Sequence, residues 1–187
     1  TEEFNGSSWT ETGDINTTRR SMGAAMQGTT EAALVFGGDP ITDETESFNG
    51  TSWTEVADLT TGREKAGGAG TQNAALAIGG TPDGSAATAI VEKWNGTSWT
   101  EVGDLNTAKN TGAAGGSSTA AITFAGVANT TETWDGVSWT EVADVSTSRE
   151  ALGGAGTTTA ALAFGGSATS VATEEWIVPQ NVEIITD

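Results

Sequence analysis

One eight-residue phrase recurs four times along this chain and limits what it can fold into. FNGSSWTE (4–11), FNGTSWTE (48–55), WNGTSWTE (94–101) and WDGVSWTE (134–141) are copies of one another, with Trp9, Trp53, Trp99 and Trp139 spaced 44, 46 and 40 residues apart. A second phrase follows each copy: AALVFGG (32–38), AALAIGG (74–80), AAITFAG (120–126) and AALAFGG (160–166). Gly/Ala stretches such as KAGGAGT (65–71) and ALGGAGT (151–157) lie between the two markers. A repeat of this length is one supersecondary unit, too small to bury its own apolar face, so it must stack on its neighbours.

Each unit reads as four short strands, a to d. Strand a is the Gly/Ala stretch. Strand b alternates, placing Leu34 with Phe36, Leu76 with Ile78, Ile122 with Phe124 and Leu162 with Phe164 on one face. Strand c carries a Glu two residues before an aromatic, at 1–4, 45–48, 91–94, 131–134 and 173–176. Strand d is the SWTE segment. The Asn-Gly or Asp-Gly between c and d is a strong hairpin signal, because both residues accept positive φ. That turn role also accounts for the N-x-S/T triplets at Asn5, Asn49 and Asn95 without glycosylation. Four-stranded units of 40–46 residues have the period of propeller blades, with small residues where inner strands crowd together and Phe and Trp filling the wedges further out. A parallel β-helix is the rival, but its coils are shorter and lack Asn-Gly hairpins. The expected fold is all-β: a propeller of four, alternatively five, four-stranded antiparallel blades over residues 1–176, closed by pairing of N- and C-terminal strands. Residues 177–187 have no repeat counterpart and are expected to form a tail or an edge-covering strand. The chain starts inside a repeat unit and without Met, so it is expected to be a trimmed portion of something longer.

Several features together resemble the kelch repeat: the Gly-Gly ending strand b, the aromatic after a Glu on strand c, the Trp on strand d and a basic residue before strand a. The wording is similar to kelch-like repeat proteins of bacteriophages and marine microbes. The resemblance covers residues 1–176 and implies the propeller fold. For function it implies little, because propellers host many unrelated activities. This chain departs from the family in length, being too short for the usual five to seven blades.

Composition narrows the chemistry. The chain has no Cys, His or Tyr. Zinc, copper and haem sites lose their usual ligands, and a His-based nucleophilic triad cannot be built. Copper-radical oxidases and sialidase-like enzymes on propeller folds need Tyr, Cys or His as well. With 25 acidic against seven basic residues, the net charge is −18. Such a surface repels nucleic acid and anionic membranes, so neither is an expected partner.

Four of the seven basic residues occupy one repeat position, five residues after an Asp: Arg19, Arg63, Lys109 and Arg149. They form either a ring of cations for an anionic ligand or structural pairs with the repeated Asp or the strand-c Glu. The structural alternative is favoured, because a binding site rarely needs the same residue in every blade, and the same holds for the Trp positions 9, 53, 99 and 139. The repeated Glu residues raise a carboxylate-pair glycosidase as a third reading, but a catalytic pair is two special residues in one pocket. No catalytic residue and no cofactor is expected. Specificity belongs where the repeat breaks, in the b–c loops 39–45, 81–91, 127–131 and 167–173. Asp39, Asp43, Glu44 and Asp83 are their charged members and the candidate binding residues. Their oxygens are of the kind Ca²⁺ takes, but no spacing matches an EF-hand loop, so solvated loops are the expectation. The leading reading is a non-enzymatic binding module of a virion or cell-surface protein, of tail-fibre, spike or adhesin type, with a protein or carbohydrate receptor. The alternative is a structural module that assembles through blade edges or the C-terminal tail.

Overall fold

A computed structural model describes residues 1–110, 112–166 and 172–178. Among these residues there are 17 strands and no helix. The strands fall into successive antiparallel sheets, each made from one sequence repeat. An N-terminal hairpin pairs β1 (Glu2–Phe4) with β2 (Trp9–Glu11). The first full sheet runs β3 (Gly23–Ala24), β4 (Ala33–Phe36), β5 (Thr45–Phe48) and β6 (Trp53–Glu55). The second runs β7 (Gly67–Thr71), β8 (Ala74–Ile78), β9 (Val91–Trp94) and β10 (Trp99–Glu101). The third runs β11 (Ala113–Ser117), β12 (Ala120–Phe124), β13 (Thr131–Trp134) and β14 (Trp139–Val142). The last has three strands, β15 (Gly153–Gly156), β16 (Ala160–Phe164) and β17 (Thr173–Ile177).

Strands a to d of each repeat therefore occupy successive places across one sheet. The a strands β3, β7, β11 and β15 touch one another in that order, so the sheets are gathered along their Gly/Ala edges. The small residues there are required by distance. A Cβ on Gly68 would lie 1.9 Å from the Ala24 carbonyl oxygen, and one on Gly154 would lie 2.6 Å from the Ala113 Cβ. Asn49 makes the c–d turn by accepting hydrogen bonds from the Thr51 and Ser52 amides, both at 3.0 Å, while Gly50 takes φ +90°.

The core lies between sheets. Phe36, Leu59, Ala75, Ala77, Trp94 and Trp99 fill the wedge between the first and second, with Phe36 edge-on to Trp99 at 5.0 Å and 70°. Ile78, Val91, Leu105, Trp134 and Trp139 fill the next wedge, and Phe124, Val145, Leu152, Ala161 and Ala163 the third. Burying an aromatic of this kind contributes about 2–3 kcal/mol. The middle sheets are covered on both faces. On β16, in the last sheet, burial alternates instead, leaving Leu162 and Phe164 over 40% exposed.

The expected pairing of terminal strands is not made among the described residues: β1 and β2 pair only with each other, and β17 pairs only with β16. The reason lies in the strand count. β17 already holds the strand-c place in the last sheet, which β1 brings a second time. Of the expected tail, 179–187 lies outside the described residues, as does most of the fourth b–c loop.

Candidate functional site

The repeated cations are the most uniform polar feature of the molecule. Each lies in the linker that enters a sheet, ahead of strand a, and reaches across to strand c of that sheet. Arg19 donates to the Glu44 carbonyl at 2.8 Å and to the Glu46 carboxylate at 2.8 Å. Arg63 donates to the Ile90 carbonyl and pairs with Glu92. Lys109 donates to the Thr130 carbonyl at 2.7 Å and lies 3.7 Å from Glu132, and Arg149 donates to the Ala172 carbonyl and to Glu174, both at 2.8 Å. All four cations are buried. Each pairs with the strand-c Glu of its own sheet.

The same carboxylates close the linker from its other side. The amides of Asn16, Thr60, Asn106 and Ser146 donate to Glu46, Glu92, Glu132 and Glu174, each at 2.7 Å. The repeated Asp serves elsewhere: Asp58 and Asp144 accept the amides that open strand c, from Thr45 and Thr131. Burial pushes the Arg63 guanidinium and the Lys109 ammonium below their ordinary values, against the pull of Glu92 and Glu132. Across the c–d hairpin Glu46, Glu92 and Glu132 stand opposite Glu55, Glu101 and Glu141. In each couple the first is buried in the ion pair and the second faces solvent at the sheet edge. A glycosidase pair needs both carboxyls beside one bond in a pocket, and these couples do not supply it.

The loop acids are dispersed. Asp39 pairs with Arg20, and their backbones bridge the loop to the segment before strand a. Glu44 sits 3.6 Å from Arg19, beside the buried ion pair. Asp43 is exposed, and its carbonyl accepts the Leu59 amide at 2.9 Å. Asp83 accepts the Ser85 and Ala86 amides at 2.9 and 2.8 Å, which holds its carboxyl below the usual range. Among the described residues no three carboxylates gather in a way that holds a metal ion. Loops 39–45 and 81–91 do meet: a Cβ at Gly84 would contact Ile41 Cδ1 at 3.6 Å.

A further repeat position, which the sequence reading passed over, carries a hydrogen bond between neighbouring units. Trp99 Nε1 donates to Thr45 Oγ1 and Trp53 Nε1 to Thr1 Oγ1, both at 3.0 Å. The signal was present as Thr opening strand c at 1, 45, 131 and 173, with Val91 as the exception. No protein-family model matches the chain, and neither does any curated protein.

Proposed function

We propose that this chain is a non-enzymatic, kelch-like β-propeller module of a virion or cell-surface protein, whose sheets are blades and whose b–c loops meet a protein or carbohydrate receptor. The observation that carries this reading is the internal use of the repeated charges. Arg19, Arg63, Lys109 and Arg149 and their Glu partners are occupied in tying linkers to blades. What differs from blade to blade is the loop set, and variable loops on a rigid scaffold are where recognition concentrates. Loops 39–45 and 81–91 touch, and between them they expose Pro40, Ile41, Asp43 and Asp83. A patch mixing apolar and acidic groups suits a polar, uncharged sugar or a basic protein surface, and it disfavours nucleic acid.

The test is a glycan array and a panel of cell surfaces probed with the chain and with a loop-swapped variant carrying residues 127–131 in place of 81–91. Binding by the parent that is lost in the swap, at unchanged melting temperature, supports the reading. Binding that survives the swap, or no binding by the parent, sinks it.

A further inference from the structure

The two ends of the chain carry sockets that stand open among the described residues, and the repeat identifies what each accepts. Between the first and second sheets, Trp99 packs with Phe36, Ala75 and Ala77 and donates its N–H to Thr45. The third and fourth sheets present the same walls: Phe124, Thr131, Val145, Ala161, Ala163 and Trp176 line one open cleft. Among the described residues the last sheet has no strand d to bring a Trp into it. Thr131 is 2% exposed, and its hydroxyl has no hydrogen-bond partner among the described residues. A buried hydroxyl left unpaired costs about 1–3 kcal/mol, so the site favours an incoming donor. Residues 179–187 contain no Trp.

The N-terminal end is the converse. The hairpin β1–β2 supplies strands c and d without a and b. Beneath it Ile15, Met22, Val35 and Trp53 line an opening. Their counterparts Val145, Leu152 and Ala163 pack with Phe124 between the third and fourth sheets. One end thus bears Trp9, 66% exposed, and an opening at the place that a strand-b Phe fills between the third and fourth sheets. The other bears a Trp socket and a free Phe164, 44% exposed. Both are unsatisfied in the same folded chain, while Trp53 and Thr1 seat the hairpin on the first sheet. Among the described residues each end is therefore open to another molecule.

We propose that these ends join two copies of this chain head to tail. Trp9 of one copy enters the cleft at Thr131 of the next and donates to its hydroxyl. Phe164 of that second copy enters the Ile15–Met22–Val35 opening of the first. Strands a and b from one copy then stand with c and d from the other as one composite sheet, and β17, which duplicates strand c, moves aside, with Phe4 of the incoming hairpin taking the place of Trp176 beside Trp9. The contact is heterologous, so it propagates into a run of copies or closes a ring of them. Each chain carries a charge of −18, so added salt strengthens the association by screening repulsion. This inference concerns the chain's ends and stands independently of any receptor at the loops.

The experiment uses two variants altered at exposed positions, Trp9→Asp and Phe164→Asp, each blocking one end. Light scattering of the parent chain shows mass rising with concentration and with salt. Each variant alone stays at 18.8 kDa, its association weakened roughly 30-fold or more, as for a central aromatic anchor. Mixed in equal amounts they give a species of twice that mass that grows no further, because each retains the complementary end. A parent chain monomeric at every concentration and salt overturns the proposal, including a monomer that has buried its own Trp9. So does continued assembly of either single variant, or a mixture that stays monomeric.

Discussion

Trp139 buries its indole N–H beside Val91, and the N–H has no acceptor among the described residues. In the two preceding repeats the corresponding Trp donates to a threonine hydroxyl, Thr45 or Thr1, at the position Val91 holds. The contact between second and third sheets is thus the same apolar wedge with one hydrogen bond missing. Val91→Thr supplies the acceptor at nearly constant volume. Relieving an unpaired buried donor is worth about 1–3 kcal/mol and desolvating the new hydroxyl offsets part of it, so a net gain of about 1 kcal/mol is expected. Chemical denaturation measures the gain, and slowed exchange of the Trp139 indole proton locates it. Unchanged indole exchange sinks the explanation. The converse, Thr45→Val, is expected to cost about 1–3 kcal/mol by orphaning Trp99.

Arg63 and Glu92 are both fully buried and are joined by an ion pair. Removing one member strands the other's charge away from water. Arg63→Met is therefore expected to cost about 3–5 kcal/mol, although the methionine packs well. Glu92 also holds the amides of Thr60 and Thr61, so Glu92→Gln, which keeps an acceptor oxygen there, should cost less than Glu92→Leu. Urea melts of the three variants give the order. Equal losses for Gln and Leu would show that the linker amides draw nothing from this side chain.

Strand content was legible because local chemistry and repetition agreed. Asn49-Gly50 can only turn, and Leu34 with Phe36 alternates at strand period. Strand a was placed at the crowded edge by its Gly and Ala, and the 1.9 Å clearance at Gly68 shows the crowding. The partner of Arg19 was left open between an Asp five residues before it and a Glu 27 residues after it. Sequence spacing cannot decide that, because the linker's path over strand c brings the distant Glu46 closer than the near Asp14. The end faces were hidden for a related reason. Leu162 and Leu76 read alike in their strands, and only the presence of a following sheet buries Leu76 and leaves Leu162 in solvent.

The third c–d turn offers a test in acid. Asp135 replaces the Asn of the other three turns and accepts the Ser138 and Val137 amides, both at 2.8 Å. These backbone bonds hold its carboxyl below the ordinary 3.8. With the folded value below the unfolded one, the carboxylate stabilises the turn above the ordinary value. That contribution fades as pH falls through the lowered one. Protection of the Val137 and Ser138 amides should accordingly drop on the acid side in the parent chain. In Asp135→Asn it should stay level, because the amide does not titrate. An identical acid-side drop in both chains would assign the loss to some other group.

Glycine at the end of strand b is commonly a matter of turning, but here it is also a matter of clearance. Gly37 takes φ +63°, and a Cβ there would fall 2.2 Å from the Arg63 carbonyl oxygen of the next unit. Its neighbour Gly38 donates to that same oxygen at 2.9 Å, so the linker cannot withdraw without breaking a bond between units. Gly6 takes φ +97° in the N-terminal hairpin with nothing within 4 Å of an added Cβ. Substituting Ala at Gly6 therefore exposes the conformational cost alone, about 1–2 kcal/mol. Gly37→Ala adds a steric clash with backbone that cannot move freely, and overpacking of this kind brings a further cost of about 1–3 kcal/mol. Paired denaturation curves should show Gly37→Ala as clearly the more damaging. Equal losses would mean that the approach of the Arg63 carbonyl can relax, and that the Gly-Gly pair serves the turn and nothing between the sheets.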